Sequence, residues 1–127
     1  MILVYIAVGG ALGAAARYGL TGWVHGWSGF GFPWGTLVVN VLGSFLVGFA
    51  LRYLEALRFA PEMRALVVIG LLGAFTTFST FSYETVGLLE EGEWARAGLY
   101  AAGSLAFGIA AVYAGLMAAA YVLHVRG

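Results

Sequence analysis

Charged residues are missing from four long stretches of this chain. Residues 1–16, 18–51 and 65–83 contain no Asp, Glu, Lys or Arg, and 97–125 holds nothing ionisable beyond His124 and tyrosine hydroxyls. A helix that crosses a bilayer needs roughly 20 mostly apolar residues. These runs therefore accommodate four spans, expected near residues 2–22, 34–54, 64–88 and 96–123. With 62% hydrophobic and 9% charged residues, the chain lacks the charge to cover a soluble globule. The expected molecule is an all-α integral membrane protein, with residues 1–127 forming a single four-helix membrane domain. Ala14, Ala15 and Ala16 look like a signal-peptide cleavage site, but no charged segment precedes the apolar run, so the first span is expected to stay.

The same charge pattern excludes several functions. Six arginines balance six glutamates, and there is no lysine, so no basic surface is available for nucleic acid. Without cysteine there is no disulfide, thiolate chemistry or Cys-based metal site, and His25 and His124 alone do not make a zinc set. Neither histidine has a Ser, Asp or Glu constellation at useful spacing, so the chain is not expected to be an enzyme. A proton-coupled small-molecule transporter would need a carboxylate inside a span, typically the first, and residues 1–16 have none. A small membrane assembly subunit remains an alternative, because packing stripes alone would look similar.

Turn and interface signals mark the span ends. Pro33 opens the second span after the Gly-rich connection at 27–31, and Pro61 opens the third. Tyr5, Tyr18, Trp23, Trp27, Trp34 and Trp94 fall near span ends, as in an aromatic belt. Arg52, Arg58, Arg64 and Arg126 lie on the side of the termini and Arg17 and Arg96 on the other, a modest bias toward termini inside.

Three spans carry a small or polar stripe at every fourth residue, and hence on one helix face: Gly9, Gly13 and Arg17; Thr36, Asn40, Ser44 and Gly48; Tyr100, Ser104 and Gly108. For the glycines the reading is close helix packing. Asn40 has four hydrogen-bonding positions to satisfy in an apolar span, so it either lines a polar path or joins helices. In the third span, Gly70 and Gly73 precede Thr76-Thr77-Phe78-Ser79-Thr80-Phe81-Ser82, a run with poor helix propensity. Two structures fit this run: a break whose freed backbone must be buried or coordinate an ion, or an intact helix whose hydroxyls bond preceding carbonyls.

These motifs carry a family resemblance. GGALGAAARYG at 9–19, TLVVNVLGSFLVG at 36–48 and GLLGAFTTFSTFSYE at 70–84 resemble the fluoride channels known as Fluc or CrcB. The likeness covers the first three spans in order, and the fourth mainly through Tyr100 and Ser104. It implies a passive channel in the plasma membrane that exports fluoride and relieves its toxicity. It also implies four transmembrane helices per subunit with a broken third helix, in an antiparallel (dual-topology) homodimer with two anion pathways and a central structural sodium ion. On matching positions Asn40 would be the pore asparagine, Phe78 and Phe81 the paired phenylalanines beside the path, and Gly73 and Thr76 the carbonyl donors to sodium. Arg17 would stand near a vestibule, and Tyr100 and Ser104 would form a polar track.

Elementary energetics set what such a path needs. Moving a carboxylate-sized ion into low dielectric costs of order 20 kcal/mol, and smaller fluoride costs more. One hydrogen bond to a charged group contributes about 1.5–3 kcal/mol net, so several donors and residual water must share the ion. The candidates are the Asn40 amide, the hydroxyls of Ser79, Thr80, Tyr100 and Ser104, and Arg17 at a distance. Phe78 and Phe81, three residues apart, can add the positive edges of their rings. Glu84, just beyond them, is read as capping or pairing near the membrane edge, and Glu90, Glu91 and Glu93 as a solvated connection. Four short spans leave little room for a hydrated path inside one subunit, so an oligomer is expected.

Overall fold

The computed structural model describes residues 1–29 and 31–127. Their regular structure is all helical, and four helical spans are long and apolar enough to cross a bilayer: Ile2–Ser28, Trp34–Ala56, Pro61–Glu90 and Trp94–Arg126. The chain is thus a multi-pass membrane protein in architecture. We label Ile2–Ser28 α1 and Trp34–Ala56 α2. The third span contains α3 (Pro61–Arg64), a π-helical stretch Ala65–Leu72, a short turn α4 (Gly73–Phe75) and α5 (Phe78–Glu90), and α6 is Trp94–Arg126.

The helices run past the apolar stretches that announced them. α1 continues beyond residue 22 to Ser28, because Trp23, Val24 and Trp27 suit an interface helix, Gly26 keeps helical geometry, and only Gly29, with φ of 78°, ends it. The third span begins at Pro61 rather than 64, since proline at the first helical position costs no hydrogen bond. α6, at 33 residues, extends outside the expected 96–123 at both ends. Hydropathy marks where lipid begins, and a helix does not have to stop there.

Packing divides the spans into two close pairs, α2 against α6 and α1 against the π-helical stretch. Both rest on glycines. A side chain at Gly48 would run into the Val112 carbonyl and one at Gly115 into the Phe45 carbonyl, so α2 and α6 meet backbone to backbone. Gly9 and Gly13 lie equally tight against the Leu66 and Leu71 carbonyls, and a Cβ on Gly70 would fall 2.6 Å from the Ile6 oxygen. With no hydrophobic drive between helices in lipid, such close approach supplies the van der Waals energy. Most large apolar side chains, among them Leu99, Phe107, Ile109 and Tyr113, face outward, and the buried set is small: Val39, Leu72, Phe75, Leu88 and Tyr100 are its main side chains.

Between Phe75 and Phe78 the backbone leaves the helical region: Thr76 has ψ 154° and Thr77 has φ −147° and ψ 113°. These two extended residues join the α1 pair to the α2–α6 pair and position the polar groups described next.

Candidate functional site

The site is organised by Asn40. Three residues further along α2 is Gly43, whose missing side chain leaves room for the Thr76 methyl and the Phe75 ring. The extended residues therefore lie against α2, within reach of the amide. Asn40 Nδ2 donates to the Thr77 carbonyl at 3.0 Å, and the Thr77 N–H donates back to Asn40 Oδ1 at 2.8 Å. A side-chain amide thus replaces the backbone partner of an extended residue, and both sequence readings of Asn40 meet in it. It joins two elements and also lines a groove. Its second N–H has no protein acceptor among the described residues.

Thr77 then caps α5. Its Oγ1 accepts from the Thr80 N–H at 3.2 Å and donates to Thr80 Oγ1 at 3.0 Å. These two diversions free two carbonyls. In an unbroken helix the Thr77 N–H would serve the Gly73 oxygen and the Thr80 N–H the Thr76 oxygen. Here the first amide goes to Asn40 and the second to Thr77 Oγ1, and neither carbonyl accepts a protein hydrogen bond among the described residues. The next carbonyl, of Ala74, is taken by Arg17 Nε at 3.1 Å. Gly73 is exposed on the surface of the single chain.

Beside the amide runs a groove of about 340 Å³. α2 supplies Asn40 and Ser44, the extended pair Thr76 and Thr77, α5 Phe78 and Phe81, and α6 Ser104 and Gly108. The lining is apolar apart from an amide and a few hydroxyls and carries no charged residue. The phenyl rings stand 5.9 Å apart at 46°. Ser104 Oγ is buried yet has no hydrogen-bond partner among the described residues, and an orphaned hydroxyl of this kind calls for a ligand or water. Phe78 is 80% exposed, so the groove is open on that side.

The sequence candidates do not all gather there. Asn40, Phe78, Phe81 and Ser104 share this groove. Arg17 and Thr80 instead line a second cavity with Thr21, His25 and Thr36, and Thr77 borders both. Tyr100 is fully buried behind Phe81: the rings are 5.1 Å apart, and its hydroxyl donates to Glu84 Oε1 at 2.9 Å. Tyr100 therefore supports the groove wall rather than facing the groove. Ser79 is exposed, 3.4 Å from Thr77 Oγ1, outside both cavities. Glu84 is a pairing group, but with a tyrosine of α6.

Sequence reasoning missed Thr77 as the hinge of the site, and Ser44. Threonine is among the preferred N-cap residues, a signal that could have pointed to Thr77. The Glu84–Tyr100 bond has no local signal. Among the described residues no three His, Cys, Asp or Glu come together to hold a metal.

Comparison with known proteins adds independent information. Residues 4–116 match the family model described as CrcB-like protein, Camphor Resistance (CrcB). A protein of Thermus thermophilus named "Fluoride-specific ion channel FluC" is 52% identical over 110 residues, covering 87% of each chain. Proteins of the same name from Geobacter sulfurreducens and Opitutus terrae are 50% and 46% identical, over 90% and 99% of this chain and 93% and 98% of theirs. These relatives are named as ion channels and not as enzymes.

Proposed function

The chain belongs to the CrcB-like protein family, and from that premise we propose that it is a passive, fluoride-specific ion channel of the plasma membrane that lets the ion leave the cell and so relieves its toxicity. The observation that carries this reading is the groove: neutral donors and two phenyl rings, with the Ser104 hydroxyl unpartnered among the described residues, beside the Asn40 amide with one N–H to spare. That inventory suits a small, hard, strongly hydrated anion. Each donor contributes roughly 1.5–3 kcal/mol, too little alone against a desolvation cost of tens of kcal/mol, so the ion keeps water and changes partners along the path. Arg17 and Thr80, in the neighbouring cavity, serve a vestibule, and the Arg17 charge raises the potential there without entering the groove. Tyr100 acts through Phe81, whose ring it backs.

A groove open at Phe78 needs a second wall. A second copy of the chain supplies it, and a two-fold contact repeats the groove, giving two pathways in one homodimer. Opposite insertion of the two copies places the two-fold axis in the membrane plane and brings the exposed Gly73 faces together. In that arrangement the interruption at Thr76–Thr77 is a working break of the third helix. The carbonyls of Gly73 and Thr76, unpartnered among the described residues, are neutral oxygens suited to a monovalent cation, and sodium is the ion we propose for them. When bound, it supplies fixed positive potential at the centre. Asn40, Thr77 and Arg17 hold the break open by occupying the groups that would otherwise close it.

The test is reconstitution. Liposomes bearing the purified protein should release fluoride, read with a fluoride electrode, much faster than protein-free vesicles, and should retain chloride in the parallel experiment. Fluoride release no faster than from empty liposomes would overturn the proposal.

A further inference from the structure

The α2–α6 pair has a second groove, on the side away from Asn40. On α2, Val41 and Phe45 each follow a groove residue, Asn40 and Ser44, and so point roughly 100° further round the helix. With Trp34 and Leu37 they face Phe107 and Ala111 of α6 across a cavity of about 670 Å³ that has no charged lining. An outer cavity, toward the start of α6, shares Trp34, Leu37 and Phe107 with this one. The outer cavity adds Ser28, Leu99 and Arg96. Together the two cavities extend from an arginine on the first turn of α6 down to Ala114, roughly 27 Å at 1.5 Å per residue. Their lining is mostly apolar, and Arg96 is its one charged residue among the described residues.

The geometry points to a bound phospholipid with a net negative headgroup, its acyl chain lying between α2 and α6 and its phosphate meeting Arg96. The fit is one of charge and length. Arg96 Nη1 already donates to the Gly31 carbonyl at 2.8 Å, which fixes the guanidinium at the groove mouth, and its Nε lies 3.7 Å from Glu93. A guanidinium has five N–H donors, so donors remain for phosphate oxygens. With a side chain about half exposed (52%), Arg96 can reach a headgroup while its stem lies on the apolar wall. Trp34 is the first residue of α2, a span end of the kind where aromatic rings meet headgroups. The neighbouring Glu93 carboxylate opposes an anion, so the site is tuned by two groups of opposite sign. This inference rests on the membrane setting and not on which ion crosses the protein.

The proposal is tested on the full chain with Trp34 as its sole tryptophan (Trp23→Phe, Trp27→Phe, Trp94→Phe). The protein is placed in vesicles of brominated phosphatidylglycerol mixed with phosphatidylcholine, and in the reverse labelling. Quenching at Trp34 should show phosphatidylglycerol preferred about five-fold, the ratio expected for one arginine near an anionic lipid. Arg96→Gln should remove the preference, Arg96→Lys should restore most of it, and Glu93→Gln should increase it. Equal quenching by both lipids, or a preference untouched by Arg96→Gln, overturns the proposal. So does the absence of quenching by either lipid, which would mean that protein covers the groove. Fluoride efflux from the same vesicles reads the channel separately, so the two conclusions can fail independently.

Discussion

Replacing Asn40 by aspartate changes one atom type and tests the centre of the site. The carboxylate still accepts from the Thr77 N–H, now 2.8 Å from Oδ1, but its other oxygen replaces a donor that lies 3.0 Å from the Thr77 carbonyl. Two effects follow. The lost hydrogen bond and the oxygen facing a carbonyl cost about 1–3 kcal/mol of stability. The new charge also repels a fluoride ion in the groove: at about 4 Å the interaction is about 4 kcal/mol for an effective dielectric of 20 and about 1 kcal/mol in bulk water. Fluoride flux should therefore drop by up to about a thousand-fold, with about five-fold as the water limit. The assay is electrode-monitored efflux from liposomes, with size-exclusion chromatography to confirm assembly. Asn40→Ala removes the pairing without adding charge and should retain more flux than Asn40→Asp. A decline of less than about five-fold in assembled Asn40→Asp, or a deeper loss in Asn40→Ala, would refute the electrostatic argument.

Phe81→Ile should slow fluoride efflux while the dimer stays assembled, because an aliphatic group fills the volume but has no positive ring edge; a wild-type rate would count against the ring's role. Gly13→Ala forces a methyl into the Leu71 carbonyl and should cost about 1–3 kcal/mol of stability, read as a lowered melting temperature, whereas Gly19→Ala, which meets nothing within 4 Å inside α1, should not lower it and should gain about 0.5–1 kcal/mol in helix propensity. Exchanging sodium for a large organic cation should weaken activity or assembly through the Gly73 and Thr76 carbonyls, and indifference to the cation would remove that site.

How much of this was legible in the chain differs by element. The spans were, because transfer into lipid is decided residue by residue and a charge-free run announces itself. The packing stripes were too: Gly9 and Gly13 recur at helical spacing, and both meet a neighbouring backbone. At 76–82 propensity left two structures open, since hydroxyls can bond their own helix or leave it. Both behaviours occur. Thr76 and Ser82 bond back to the Leu72 and Phe78 carbonyls, whereas Thr77 turns to Thr80 and Asn40. The candidate list of polar residues mixed three environments, because spacing gives a face but not what lies opposite it. Ser104 and Tyr100 share one stripe of α6, yet one ends unpartnered at the groove and the other is buried against Glu84.

By itself, then, the amino-acid order determined the solvent, the number of crossings and which helix faces could come close, all of which depend on the composition of short windows. Only the tertiary structure decided which amide meets which carbonyl. Asn40 reaches Thr77 across 37 positions and Arg17 reaches Ala74 across 57. Such pairings depend on the angle and depth at which separate helices pack, to within a few tenths of an ångström, and no local window contains that information.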